Sequence, residues 1–127
     1  EQLIYEGAIP FNSTCIHHLA VISGVVHIGY IPNQYVVGLS KLARVVEGYA
    51  KRLQLQEQMT EQIITAIDDE LSPLGAMVIV RATHDCMQIR GINKQGTLTT
   101  TSAVRGIFKT NDSGCKDELL ALLKGEI

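Results

Sequence analysis

Met77-Val78-Ile79-Val80-Arg81-Ala82-Thr83-His84-Asp85-Cys86-Met87 is the stretch from which the rest of the chain is best read. Apolar and β-branched residues dominate it, and a strand sends alternate side chains to opposite faces, so Val78, Val80, Ala82, His84 and Cys86 are expected to share one face. If the same register continues, Gln88 and Arg90 join them. Just before this strand, Ser72-Pro73-Leu74-Gly75 stops a helical pattern running from about Gln54 to Leu71, in which Leu55, Met59, Ile63 and Ile67 recur at four-residue steps. A first helix precedes that one: Leu42, Val45, Val46 and Tyr49 follow i, i+3, i+4, i+7 spacing, with Ser40 as the expected N-cap. Further upstream, Leu19–Ile22 and Val25–Ile31 flank Ser23-Gly24, which predicts a β-hairpin about a two-residue turn. Leu3 to Phe11 supplies an opening strand. Downstream, a loop from Gly91 to Gly96 leads to a strand from Thr97 that reaches Phe108, and the Asn111-Asp112-Ser113-Gly114 turn introduces a last helix from Lys116 to Leu123. Strands, two consecutive helices, strands and a terminal helix define an α+β chain rather than an alternating βαβ fold.

The 127 residues suffice for one domain with a core, and 46% hydrophobic against 19% charged residues is a globular balance. A formal charge of −2 gives no global basic surface for nucleic acid, so an anionic ligand has to be met by a local cluster of Lys and Arg. No segment has the length of an apolar membrane span, and no signal-peptide pattern opens the chain. Three cysteines, an odd number, do not make a disulfide framework; they fit a reducing compartment, and a cytoplasmic location is expected. Cys115 stands far from any histidine in sequence and reads as a small hydrophobe.

The chemistry concentrates in two short runs. Cys15-Ile16-His17-His18 and His84-Asp85-Cys86 hold two of the three cysteines and three of the four histidines. Cys15, His18 and Cys86 offer two thiolates and an imidazole, a set suited to zinc with one coordination position left open for activating water. The competing reading is a buried cysteine and surface histidines that never meet. His17 and His84, beside or two residues from proposed ligands, suit proton transfer near neutral pH, whereas His27 on the expected hairpin reads as structural. Ser40, Lys41 and Arg44 gather at a predicted helix start, where exposed N–H groups and added positive charge favour phosphate, although a solvated helix face has the same composition. Arg90 could reach the same anion. Gln56 and Glu57 open the second helix; a carboxylate there either receives N–H groups of a flat heterocycle or simply complements the helix dipole.

Taken together, Cys-x-His-His, Gly-Tyr-Ile-Pro, Val-Gly-Leu-Ser-Lys-Leu-Ala-Arg-Val-Val, Arg-Leu-Gln-Leu-Gln-Glu-Gln-Met-Thr, Ala-Thr-His-Asp-Cys-Met and Ile-Arg-Gly resemble GTP cyclohydrolase I from about Phe11 to Phe108. The resemblance implies a tunnelling fold, in which an antiparallel sheet carries two helices between its strand pairs and subunits close into a β-barrel, as a decamer of two pentameric rings. It implies conversion of GTP and water to 7,8-dihydroneopterin triphosphate and formate. It assigns Cys15, His18 and Cys86 to Zn2+, and His17 and His84 to proton handling while activated water attacks C8 of guanine. Glu57, with Gln56 beside it, would anchor guanine; Lys41, Arg44 and Arg90 would hold the triphosphate, and Ser40 would sit near the ribose.

Residues 1–127 would form a single catalytic domain, without the helical segment that commonly precedes the first strand in that family. The family's usual Cys-Glu-His-His has Ile16 in place of its Glu here, which alters the hydrogen bonding available around a ligand. Two other readings remain: a non-catalytic purine-nucleotide binding module, favoured by Ile16, and a deazaguanine nitrile reductase of the same fold, which would need a thiol nucleophile. A zinc nucleobase deaminase lacks its Pro-Cys-x-x-Cys and His-x-Glu signature.

Overall fold

Two long strands, β1 (Ile4–Cys15) and β2 (Val21–Ile31), pair antiparallel at the start of the chain in a computed structural model that describes residues 3–15, 21–51, 53–84, 98–110 and 115–124. Helix α1 (Leu39–Ala50), a two-residue strand β3 (Leu53–Gln54) and helix α2 (Gln56–Leu71) follow, then β4 (Gly75–His84) and β5 (Thr99–Gly106). A helical turn α3 (Ile107–Thr110) and helix α4 (Cys115–Lys124) complete the described elements. The sheet order is β3-β1-β2-β4-β5, antiparallel throughout except for the short parallel pairing of β3 with β1.

The expected hairpin at Ser23-Gly24 is not formed. Ser23 and Gly24 lie inside β2, paired on one side with Asn12 and Phe11 and on the other with Thr83 and Ala82. A Cβ at Gly24 would run into the carbonyl oxygen of Arg81 and come within 2.8 Å of the Ala82 side chain. The glycine therefore marks a close approach of backbones, the alternative meaning of a glycine inside a strand pattern. Strand β1 also runs past the expected Phe11 to Cys15, with its register shifted between Glu6 and Ile9, where Ala8 adopts φ 54°. That irregularity is a bulge, which bends a strand without ending it.

Alternation in β4 divides the core in two. Val78, Val80 and Ala82, together with Ala76, are buried with Val26, Ile28 and Tyr30 of β2 against Leu42 and Val46 of α1 and Met59, Ile63, Ile64 and Ile67 of α2. Met77 and Ile79 enter a second cluster with Phe108, Leu119 and Leu123 of α3 and α4. β4 is thus covered on both faces, as its nearly continuous apolar sequence requires.

Three boundaries differ from the sequence reading. The N-cap of α1 is Gly38, extended at φ −69° and ψ 155° and without a side-chain cap, so Ser40 falls in the first turn. β5 ends at Gly106, whose φ of 65° turns the chain into α3, so Phe108 is a buried helical residue rather than the end of a strand. α2 begins at Gln56 rather than Gln54 and stops where Ser72 adopts a left-handed conformation, φ 43°. The strand expected to run to Met87 is observed to His84; residues 85–97, which include the Gly91 to Gly96 loop, and the 111–114 turn lie outside the described residues.

Candidate functional site at one end of the sheet

Strand pairing brings several candidate positions to one end of the sheet. Ile22, at the start of β2, pairs with Ser13 of β1 and with His84 at the end of β4. Cys15 lies two residues beyond Ser13 and pairs with Gln54, two residues before the start of α2. With strands about 4.8 Å apart and about 3.3 Å per residue, the backbones at Cys15 and His84 are separated by roughly 12 Å. Chain leaves β1 at Cys15, three residues short of His18, and leaves β4 at His84, two short of Cys86. His17, His18, Cys86 and Arg90 lie outside the described residues. Two thiols and an imidazole are the donor chemistry zinc takes. Among the described residues no three metal-binding side chains gather.

Helix α2 starts at this same end. Gln56, its first residue, is 2% exposed. Its Nε2 lies 3.2 Å from the Val80 carbonyl oxygen, 3.0 Å from that of Thr99 and 3.1 Å from Thr101 Oγ1, which ties the helix to β4 and β5. Glu57, the next residue, is exposed in the first turn, and Leu55 provides no side-chain cap. Leu55 thus begins α2 without a side-chain oxygen of its own, and the Glu57 carboxylate stands in the first turn, where the helix dipole favours negative charge.

Ser40, Lys41 and Arg44 are not brought to this end. All three are exposed on α1, and Lys41 Nζ is 3.7 Å from Glu70 Oε2 in the last turn of α2. Glu57 and Glu70 are thirteen residues apart on one helix, about 20 Å at 1.5 Å per residue. The chain entering α1 is likewise anchored at the far end of the sheet, where the Val37 N–H donates to the Tyr30 hydroxyl at 3.2 Å and Tyr30 pairs with Ala76. One chain thus presents two separate candidate clusters, one with Cys15, His84, Gln56 and Glu57, the other with Ser40, Lys41 and Arg44.

His27 is 2% exposed and structural in its contacts. Its Nδ1 accepts the Ala8 N–H at 3.2 Å and lies 2.9 Å from the Tyr5 hydroxyl, on whose ring it stacks. Acceptance at Nδ1 puts the proton of the neutral ring on Nε2. It borders a depression of about 510 Å³ lined also by Ala8, Ser23, Val25, Arg81 and Thr83, and among the described residues none of the candidates lines it. The polar groups that sequence reasoning missed are Thr60 and Thr101. Their only signal was a threonine four residues after Gln56, the spacing at which a hydroxyl reaches back to a helix carbonyl.

The described backbone resembles a solved structure, the crystal structure of the archaeosine synthase QueF-Like in the apo form, with TM-score 0.69 over 84% of this chain and 95% of that one at 20% identity. That likeness concerns the fold, an antiparallel sheet with helices in the tunnelling-fold arrangement. In sequence the chain is 54% identical over 125 residues to GTP cyclohydrolase 1 of Listeria welshimeri, covering 98% of this chain and 66% of that protein. It is 48% identical over 126 residues to GTP cyclohydrolase 1 of Mycobacterium tuberculosis, covering 98% of this chain and 62% of that protein. The chain thus spans just under two thirds of the length of these relatives. The sequence profile of GTP cyclohydrolase I matches residues 1–124, and the chain belongs to the GTP cyclohydrolase I family.

Proposed function

We propose that this chain supplies the catalytic fold of a zinc-dependent GTP cyclohydrolase, which takes GTP and one water to 7,8-dihydroneopterin triphosphate and formate. Family membership supports the reaction class. The observation that carries the reading is the grouping of Cys15, His84 and the Gln56-Glu57 helix start at one end of the sheet. Cys15, His18 and Cys86 are the proposed ligands. When bound, zinc supplies Lewis acidity that activates water near neutral pH.

The chain's own residues then have distinct tasks. The Glu57 carboxylate accepts N1–H and the 2-amino group of guanine; adenine, which presents an acceptor at N1 and no 2-amino group, is rejected. His84, with His17, handles protons at the imidazole ring of guanine, where both the C8–N9 and C8–N7 bonds break with uptake of two waters to free C8 as formate, one water returning as the pterin ring closes. Lys41, Arg44 and Arg90 hold the triphosphate and Ser40 meets the ribose.

The separation of Lys41 and Glu57 by the length of α2 supports a site in which two chains serve one GTP molecule, with a homo-oligomer as the working unit. Two stacked rings of five, closing the sheets into a barrel, would also pair the strands β3 and β5 that end the sheet among the described residues. Among the described residues no helix is long and apolar enough to cross a membrane, and a cytoplasmic location belongs to the same reading.

The test is formate release from GTP, measured beside metal content. Cys86→Ala is expected to lose both zinc and turnover, whereas His84→Ala keeps zinc and loses about 10²-fold or more in rate. GTP binding by the wild type without formate release would favour the binding-module reading instead, with Ile16→Glu as the variant that asks whether the missing carboxylate is the cause.

A further inference from the structure

We propose that Thr60 and Thr101 are positioning residues, which close a hydrogen-bonded ring with Gln56 and thereby fix the carboxylate of Glu57 relative to the end of β4. The inference rests on the reading of Glu57 as the guanine contact and adds two residues to it.

The direction of every bond in the ring follows from the donors present. Thr60 Oγ1 is 2.9 Å from the Gln56 carbonyl oxygen, which can only accept, so the single hydroxyl hydrogen of Thr60 is used there. Toward Thr101 Oγ1, 2.7 Å away, Thr60 must then accept, and the Thr101 hydroxyl donates. A lone pair of Thr101 Oγ1 remains to receive Gln56 Nε2 at 3.1 Å. The chain of donation leaves the Gln56 amide, passes through Thr101 and Thr60, and returns to the Gln56 carbonyl.

Burial makes the ring consequential. Gln56 is 2% and Thr60 1% exposed, so water has little access to their side of the ring, while Thr101 is half-buried on β5. Gln56 Nε2 has two hydrogens and three acceptors in reach, counting the carbonyl oxygens of Val80 and Thr99. Its amide donors are spent inside the protein, and the sequence-based assignment of Gln56 as a base contact becomes a positioning role. Thr101 pairs with Val80, four residues before His84, so the ring couples the first turn of α2 to the strand that leads into the proton-handling residue.

Thr101→Val removes the hydroxyl at constant shape, and Thr101→Ser restores it. The expected result is a KM for GTP raised about tenfold by Thr101→Val, with kcat changed far less, and a Thr101→Ser enzyme within about twofold of wild type. In a Glu57→Gln background, Thr101→Val is expected to produce little further loss in kcat/KM, because the group it positions is already gone. An unchanged KM in Thr101→Val, or the same fold-loss with and without Glu57, overturns the proposal and leaves the ring a stability feature. Failure of the functional reading looks different: a wild type that releases no formate from GTP. The same cycle is then read on GTP affinity by equilibrium dialysis, with the same expectations, and a wild type without GTP affinity overturns both.

Discussion

Lys41 Nζ lies 3.7 Å from Glu70 Oε2, which sets the basic cluster of α1 beside the last turn of α2 while Glu57 occupies its first. Both partners are 60% exposed, so the pair contributes little to stability and leaves Lys41 available to an anion from outside the chain. If GTP spans two chains, Lys41→Ala and Glu57→Gln each disable every site in a uniform assembly, by about 10- to 10²-fold in kcat/KM. Co-refolding the two variants creates some interfaces where an intact Lys41 faces an intact Glu57, and activity should rise well above either parent. A mixture no better than the average of its parents would place both clusters in one chain's site.

Glu6 lies in β1 next to the bulge, and its partial burial raises the carboxyl above the ordinary glutamate value by desolvating the charged form. A carboxyl raised in the folded state binds protons more readily folded than unfolded, so its contribution to stability falls as pH rises through the interval from the unfolded to the folded value. Glu6→Gln is expected to raise the melting temperature at neutral pH, with the advantage shrinking below the unfolded glutamate pKa. Thermal melts of both proteins across pH 3.5–7.5 check it; a Glu6→Gln protein less stable at pH 7 would show that the ionised carboxylate is favourably placed.

Gly24 decides between two accounts of β2. As a hairpin turn residue it would tolerate Ala at modest cost, but as an interior residue its Cβ meets the Arg81 carbonyl and the backbone of Ala82, neither of which is a flexible group. Gly24→Ala should therefore destabilise by about 1–3 kcal/mol, the range of overpacked core substitutions. Gly48→Ala, where a Cβ meets nothing within 4 Å on α1, is the control and should stabilise by up to about 1 kcal/mol.

What the sequence made legible was whatever depended on period. The alternation of Val78, Val80 and Ala82 placed them on one buried face, and the spacing of Leu42, Val46, Met59, Ile63 and Ile67 named the helix faces that cover it. What stayed hidden depended on contacts between distant segments. A glycine that admits a neighbouring backbone and a glycine that turns the chain have the same local sequence, and only the pairing of Gly24 with Ala82 separates them. The start of α1 was misplaced because Gly38 caps without a side-chain oxygen and so leaves no signal. For the site, residue types suggested chemistry and family resemblance supplied roles, but neither could show that Ser40, Lys41 and Arg44 stand a helix length from Glu57. Gln56 was read with Glu57 because they are adjacent; burial separates them, since one side chain points into the core and the other is exposed.

That separation gives the adjacent residues opposite expected phenotypes. Gln56→Ala deletes a buried carboxamide whose amide group serves Thr101 and the carbonyls of Val80 and Thr99, so it removes packing and leaves polar atoms with fewer partners in a site that is closed to water. A loss of about 2–4 kcal/mol is expected, combining unsatisfied groups with the cavity. Glu57→Gln changes an exposed side chain and should stay within about 0.5 kcal/mol of wild type while weakening GTP binding. Urea unfolding at one fixed protein concentration, so that assembly contributes equally, measures both. Equal stability of the two variants would mean that the Gln56 amide is not held as the geometry indicates, and a Glu57→Gln protein that unfolds early would remove the argument that this carboxylate is kept for a ligand.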